Sequence, residues 1–280
     1  MSENPIPLWN VIPPFYKEEY QTKENETTST ITPYLVKDSF THSALLICPG
    51  GGFTHRAEHE GSIVANYFQK LGIHSFVLNY RVIPYHPMIS LVDAFRAIRY
   101  LRYYSQKFHL FPDKIAIMGF SAGGSISAFT SELYETELYP ASDEIDQLSA
   151  RPDAAILCYA GLSFRKQHLT ESDYHTLEAN FSKLKNFNGS IKDFTEQYSC
   201  DCKIHSNMPP VFLWHTMDDK RVPVAGVLNY IEKLNLQHIS SEIHLFPEGE
   251  HGLGVDRAKH IEGVCQWPDL CMNWLKRQGF

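Results

Sequence analysis

The sequence lacks any uncharged apolar run of the roughly 18 residues that a membrane-spanning helix needs, and its richest stretches, such as 44–48, are strand-sized. No basic segment followed by an apolar one appears after Met1, so no secretory signal is visible and a cytoplasmic protein is expected. Gly and Pro number 16 each in 280 residues, which excludes a collagen-like or low-complexity chain.

Basic charge and cysteine are also scarce. The chain has 25 basic and 32 acidic residues, with a net charge of −7, and the acidic excess is spread along its length. This pattern offers no basic surface to nucleic acid or anionic lipid, so neither is expected as a partner. The six cysteines lie far apart except for Cys200 and Cys202, whereas a zinc knuckle would need two close pairs.

Apolar residues are abundant, at 43% of the chain, and they form strand-like runs that alternate with helical stripes. Apolar runs of strand length occur at 31–36, 44–48, 75–79, 114–118, 154–158, 211–214 and 242–246. Amphipathic helical stripes occur at 63–71, 91–101, 126–133 and 267–275. The alternation predicts one α/β domain over 1–280, with a mostly parallel sheet covered by helices on both faces.

One connection departs from the alternation. Residues 163–207 join two predicted strands, yet they are polar and carry only short helical patterns. Connections this long are usually functional, so we expect a cap or lid over a site.

The pentapeptide Gly119-Phe120-Ser121-Ala122-Gly123 matches G-x-S-x-G and lies between a predicted strand and a predicted helix. A sharp turn there would present Ser121 as a nucleophile and place the N–H of Ala122 beside a developing oxyanion. The alternative is an ordinary glycine-rich turn in which Ser121 caps the helix.

A second glycine-rich loop, 49–53, follows the predicted strand at 44–48. Bare backbone can approach a substrate carbonyl closely, so Gly51 and Gly52 are candidate oxyanion donors. The loop lacks the spacing of a dinucleotide-binding turn and the Lys-Ser/Thr of a P-loop.

A serine nucleophile needs a base and an acid that orients it, in the chain order Ser, Asp, His for this type of turn. Asp218 follows the strand at 211–214, and His251 follows the strand at 242–246. Alignment with the motif favours Asp218, with Asp219 as the alternative. We interpret His215, His244 and His260 as structural.

A competing motif, H-x-x-E-H, occurs at 55–59 and is typical of a family of zinc peptidases. That chemistry requires both imidazoles on one helix face, but His55 and His59 precede a helix whose apolar face begins only at Ile63. We therefore favour a polar loop near the mouth of the site and predict no metal.

Several segments together resemble a known family. They are Pro7–Trp9, Cys48–Phe53, His59–Gly61, Asn79–Arg81, Gly119–Gly124, Pro209–Thr216 and Gly249–Gly252, together with Asp218. The chain resembles the α/β-hydrolase superfamily and, within it, small esterases related to acetyl-xylan esterases and the BD-FAE group. Pro49 departs from the hormone-sensitive-lipase relatives, which carry His there.

The resemblance implies a nucleophile, base and acid at Ser121, His251 and Asp218. It also implies oxyanion contacts from Gly51, Gly52 and Ala122. Arg81 and Asp93 are expected to pair behind the site.

The sequence as a whole predicts a serine esterase that needs neither metal nor organic cofactor. Its partner would be a small ester with a short acyl group, such as an acetylated sugar. A peptidase or amidase similar to prolyl oligopeptidases is one alternative, and a dead hydrolase scaffold used for binding is another. The chain lacks the propeller domain of the former, and the latter usually loses a triad member.

Overall fold

The computed structural model describes residues 4–25, 28–38, 40–184 and 190–280. Its strands are β1 (Ile6–Pro7), β2 (Thr30–Tyr34), β3 (His42–Cys48), β4 (His74–Asn79), β5 (Leu110–Phe120), β6 (Ala154–Cys158), β7 (Val211–Thr216) and β8 (Ser241–Phe246). Its α-helices are α1 (Ser62–Lys70), α2 (Pro87–Tyr103), α3 (Ala122–Leu133), α4 (Glu171–Phe181), α5 (Ile191–Gln197), α6 (Val224–Leu236) and α7 (Trp267–Arg277).

These strands form one sheet in the order β1-β2-β4-β3-β5-β6-β7-β8. The six strands from β3 to β8 run parallel, and β2 and β1 add an antiparallel edge. Helices α2, α3 and α6 contribute to the core on one face, and α1 and α7 to the core on the other. The predicted α/β-hydrolase fold is therefore confirmed. No helix in the described ranges is both long and apolar enough to cross a membrane.

The strands β3, β4, β6 and β7 and the second half of β5 are almost wholly buried because helices cover both faces, as their continuous apolar runs predict. Each predicted strand and helix is present, with ends that differ by a few residues. Two elements fall outside the prediction: β1, which is only two residues long, and α6, which connects β7 to β8.

The connection 163–207, described apart from 185–189, contains α4, α5 and two short 3₁₀ turns. Its two ends are tied together by Arg165, whose Nη1 donates to Asp201 Oδ2 at 2.9 Å. Asp201 is buried and also accepts a hydrogen bond from Asn229 of α6. The connection is thus anchored to the helix layer, and its role as a lid stays a prediction.

The pair forms as expected, between Arg81, which follows β4, and Asp93 within α2. Asp93 is fully buried and accepts from Arg81 Nε, Nη2 and the backbone N–H, the shortest contact being 2.7 Å. The Arg81 Nη1 group also donates to the carbonyl of Pro14, so the pair ties the N-terminal segment to the sheet.

Replacing Asp93 with alanine should lower the free energy of unfolding by about 3–5 kcal/mol, because it leaves a buried guanidinium without its counter-charge. Chemical denaturation with urea would measure the change. Glu196→Ala, which removes an exposed carboxylate 3.9 Å from Lys192, is the matched control and should change stability little. Equal effects of the two variants would contradict a stabilising role for the buried pair.

Candidate active site

Ser121 occupies a tight turn between the end of β5 and the start of α3. Its backbone has φ of +51° and ψ of −118°, a conformation that a residue with a side chain rarely adopts. The turn is possible because glycines follow two and three residues later: a Cβ on Gly123 would lie 2.0 Å from the Cys48 carbonyl oxygen, and one on Gly124 would lie 2.3 Å from Ala160 Cβ. The Ser121 side chain does not cap α3, so the alternative of a capped turn is not what the structure shows.

Three polar side chains from three loops form a continuous hydrogen-bonded row at this turn. Ser121 Oγ lies 2.8 Å from His251 Nε2, and His251 Nδ1 lies 2.7 Å from Asp219 Oδ2. A carboxylate only accepts hydrogen bonds, so Nδ1 carries the imidazole proton and Nε2 is free to accept the Ser121 proton. The row can therefore activate a hydroxyl as a nucleophile.

The acid of this row is Asp219, and the prediction of Asp218 is wrong. The side chain of Asp219 is completely buried against His251. Asp218, one residue earlier, points away and accepts the backbone N–H of Gly249 at 2.7 Å. The difference follows from the turn after β7, in which Asp219 Oδ1 accepts the N–H groups of Arg221 and Val222 and so fixes the carboxylate.

Electrostatics keep the Asp219 carboxylate ionised. Its burial alone would raise the pKa, but the hydrogen bond from His251 and the backbone donors of Val222 and Arg221 hold the pKa below its ordinary value. Nearby His215 is fully buried, burial lowers its pKa, and its Nε2 donates to the Val222 carbonyl. His215 therefore supports the Asp219 turn as a neutral group.

The predicted oxyanion residues line the same cavity as Ser121 and His251. Gly51 and Gly52 have φ of +130° and +60°, and a Cβ on Gly51 would lie 2.2 Å from the His55 carbonyl oxygen. Ala122 is buried at the first position of α3, where backbone N–H groups have no partner within the helix. Backbone N–H groups of the glycine loop and of Ala122 thus lie at the wall of one cavity.

That cavity has a volume of about 450 Å³ and a mixed lining. Ser121, His251 and the glycine loop supply polar groups. Many of the other lining side chains are apolar, among them Met88, Leu91, Ile126, Phe129, Phe164 and Phe194. Phe164 and Phe194 belong to the connection 163–207, which therefore closes one side of the cavity.

The H-x-x-E-H motif is not arranged as a metal site. His55 Nδ1 is hydrogen-bonded to Thr54 Oγ1, and His59 Nε2 lies 3.0 Å from the Gly252 carbonyl oxygen. Glu58 is exposed. Within the described part of the chain, no group of three His, Cys, Asp or Glu side chains could hold a metal ion.

The chain matches one family model and is similar to a solved structure. The BD-FAE family model matches residues 34–234. A solved structure described as an acetyl ester-xyloside bifunctional hydrolase from Caldicellulosiruptor lactoaceticus is 34% identical, with a TM-score of 0.86 over 99% of this chain and 97% of that one.

Two curated relatives also match. Acetylxylan esterase of Xylanibacter ruminicola is 30% identical over 83% of this chain, and endo-1,4-beta-xylanase B of Butyrivibrio fibrisolvens is 29% identical over 82%. The matches cover only 45% and 35% of these two relatives, so the chain spans less than half of their length.

Proposed function

The chain belongs to the BD-FAE family of α/β hydrolases, and we propose that it is a serine esterase that hydrolyses short-chain carboxylic esters. The observation that carries the proposal is the unbroken row of hydrogen bonds from Ser121 through His251 to Asp219 at the wall of a cavity. In the proposed reaction Ser121 is the nucleophile, His251 the general base and Asp219 the group that orients His251.

The reaction proceeds in two halves. Ser121 Oγ attacks the ester carbonyl while His251 Nε2 takes its proton, and the Asp219 carboxylate stabilises the imidazolium that forms. Backbone N–H groups of Ala122 and of Gly51 or Gly52 stabilise the tetrahedral oxyanion. His251 then protonates the departing alcohol, and a water molecule activated by His251 hydrolyses the acyl-enzyme.

We further propose acetylated carbohydrates as substrates. Support comes from the relatives named as an acetylxylan esterase and an acetyl ester-xyloside hydrolase, of which the second matches along nearly its whole length. The connection 163–207 would act as the lid, since its side chains form part of the cavity wall. The cytoplasmic location stays a prediction from the sequence.

Labelling with a fluorophosphonate tests the nucleophile, because only an activated serine reacts readily with this class of reagent. We expect one adduct per chain, located on Ser121 by peptide mass spectrometry, and loss of p-nitrophenyl acetate hydrolysis in proportion to labelling. Release of acetate from an acetylated xylo-oligosaccharide tests the carbohydrate proposal separately. A chain that neither reacts with the reagent nor cleaves any ester would be a binding scaffold.

A further inference from the structure

A buried carboxylate outside the catalytic row contacts the loop that carries the candidate oxyanion glycines. Glu60 is 2% exposed, and its Oε2 accepts the backbone N–H of Gly50 at 2.8 Å. A Cβ on Gly50 would lie 2.6 Å from this oxygen and 2.9 Å from Ser121 Cβ. Gly50 therefore lies tightly between the Glu60 carboxylate and Ser121, and the carboxylate fixes the residue that precedes Gly51.

The other oxygen of Glu60 connects to the loop that carries His251. Oε1 accepts the hydroxyl of Tyr159 at 2.7 Å, and that hydroxyl accepts the N–H of Gly254 at 2.8 Å. Tyr159 is buried, and its ring meets the His251 imidazole edge to face with centroids 5.1 Å apart. Trp267 Nε1 binds the Gly254 carbonyl at 2.9 Å and holds the far side of the same loop.

His59 adds a parallel connection, since its Nε2 lies 3.0 Å from the Gly252 carbonyl. His59, the last residue of the H-x-x-E-H motif, and Glu60, which follows it, thus join two loops that are far apart in the chain. His59 and Gly252 are separated by 193 residues. We name the set Glu60, Tyr159 and Gly254, with His59 and Gly252, the loop clasp.

The chemistry of the clasp calls for a carboxylate. Gly50 N–H and Tyr159 O–H are both donors, so each needs an acceptor, and Glu60 supplies two. A glutamine would turn an NH₂ group toward one of these donors and leave it unpaired in a buried position. Charge-assisted hydrogen bonds are also the stronger kind, so they fix the two loops firmly.

From this geometry we propose that Glu60 is a positioning residue that sets the oxyanion loop against the catalytic histidine. The proposal rests on the proposed esterase function. Glu60 itself does not touch the reacting atoms; through Gly50 it aims the N–H groups of Gly51 and Gly52, and through Tyr159 it fixes the loop that carries His251. A shift of these donors weakens oxyanion stabilisation, which exists mainly in the transition state.

The test compares Glu60→Gln with Glu58→Gln, which makes the same change at an exposed position two residues earlier. Rates of p-nitrophenyl acetate hydrolysis are divided by the concentration of reactive serine, titrated with a fluorophosphonate. We expect E60Q to lower kcat about 10- to 100-fold with KM within about twofold, since the full loss of one oxyanion donor costs about 10²- to 10³-fold. E58Q should match the parent protein.

Inhibition by phenylboronic acid, which forms a tetrahedral adduct with the nucleophile, should weaken by the same factor as kcat. Tyr159→Phe keeps the packing of the ring and the hydrogen bond from Gly50 to Glu60, so it should lower kcat by a smaller factor than E60Q does. If E60Q fails to fold, Y159F replaces it as the test variant.

The outcomes are distinct. Parent-like kcat and parent-like boronate affinity per reactive serine in E60Q, or in Y159F if E60Q does not fold, would overturn the positioning role. Absence of ester hydrolysis in the parent protein would instead overturn the proposed function.

Discussion

Replacing Ser121 with alanine should reduce kcat for p-nitrophenyl acetate by about 10⁵-fold or more, to near the uncatalysed rate, while the protein stays folded. The reason is that no other hydroxyl lies in hydrogen-bond contact with His251 Nε2 among the residues that the structure describes. Steady-state kinetics give the rate, and thermal denaturation shows whether the fold is kept.

The matched control is Ser131→Ala, which removes a buried hydroxyl from the same helix, α3, where it donates to the carbonyl of Ser127. This variant should keep its turnover within a few-fold of the parent's. Turnover above about 1% of the parent's in S121A would exclude Ser121 as the nucleophile.

Replacing Asp219 with asparagine should lower kcat by about 10⁴-fold, because an amide either presents the wrong group to Nδ1 or stabilises the wrong imidazole tautomer. The fluorophosphonate reaction should slow in the same variant, since it depends on the same activated hydroxyl. Measuring kcat across pH separates this loss from a simple shift of the pH profile.

Asp218→Asn is the natural control, since the two aspartates are adjacent and the change is identical. An asparagine at 218 still offers a carbonyl oxygen to the Gly249 N–H, so kcat should fall only a few-fold. A large loss in D218N together with a small loss in D219N would reassign the acid to Asp218.

The choice between these aspartates shows where sequence reasoning ends. The order Ser, Asp, His and the placement of each residue after a strand are properties of the fold, and the pattern of strands predicts them. Which of two adjacent carboxylates faces His251 depends on the turn after Thr216, whose backbone no periodicity describes. One signal was present: Asp219 lies two and three residues before the N–H groups that it accepts, as in an Asx turn.

The fold itself was easier to predict from the sequence than the identity of the catalytic aspartate. Strands such as β6, buried on both faces, give continuous apolar runs that match the observed limits. The two-residue β1 has no period to detect, because it exists only through pairing with β2. Helix α6 could have been found, since Val227, Tyr230 and Leu234 follow the helical repeat and are buried. The role of Glu60 could not be predicted, although the residue lies in a segment that carries the family resemblance, because a single acidic residue carries no sign of two donors brought to it from distant loops.

The strained backbone of Ser121 is held by its neighbours rather than by its own side chain. The Ser121 N–H donates to the Cys158 carbonyl, and its carbonyl accepts from Ser125 and Gly161. The hydroxyl of Ser121 can therefore be removed without disturbing the turn. Replacing Ser121 with glycine, which tolerates positive φ, would relieve the backbone strain and remove the nucleophile. Such a variant would retain an intact recognition surface and could serve as a trap that captures uncleaved esters for structure determination.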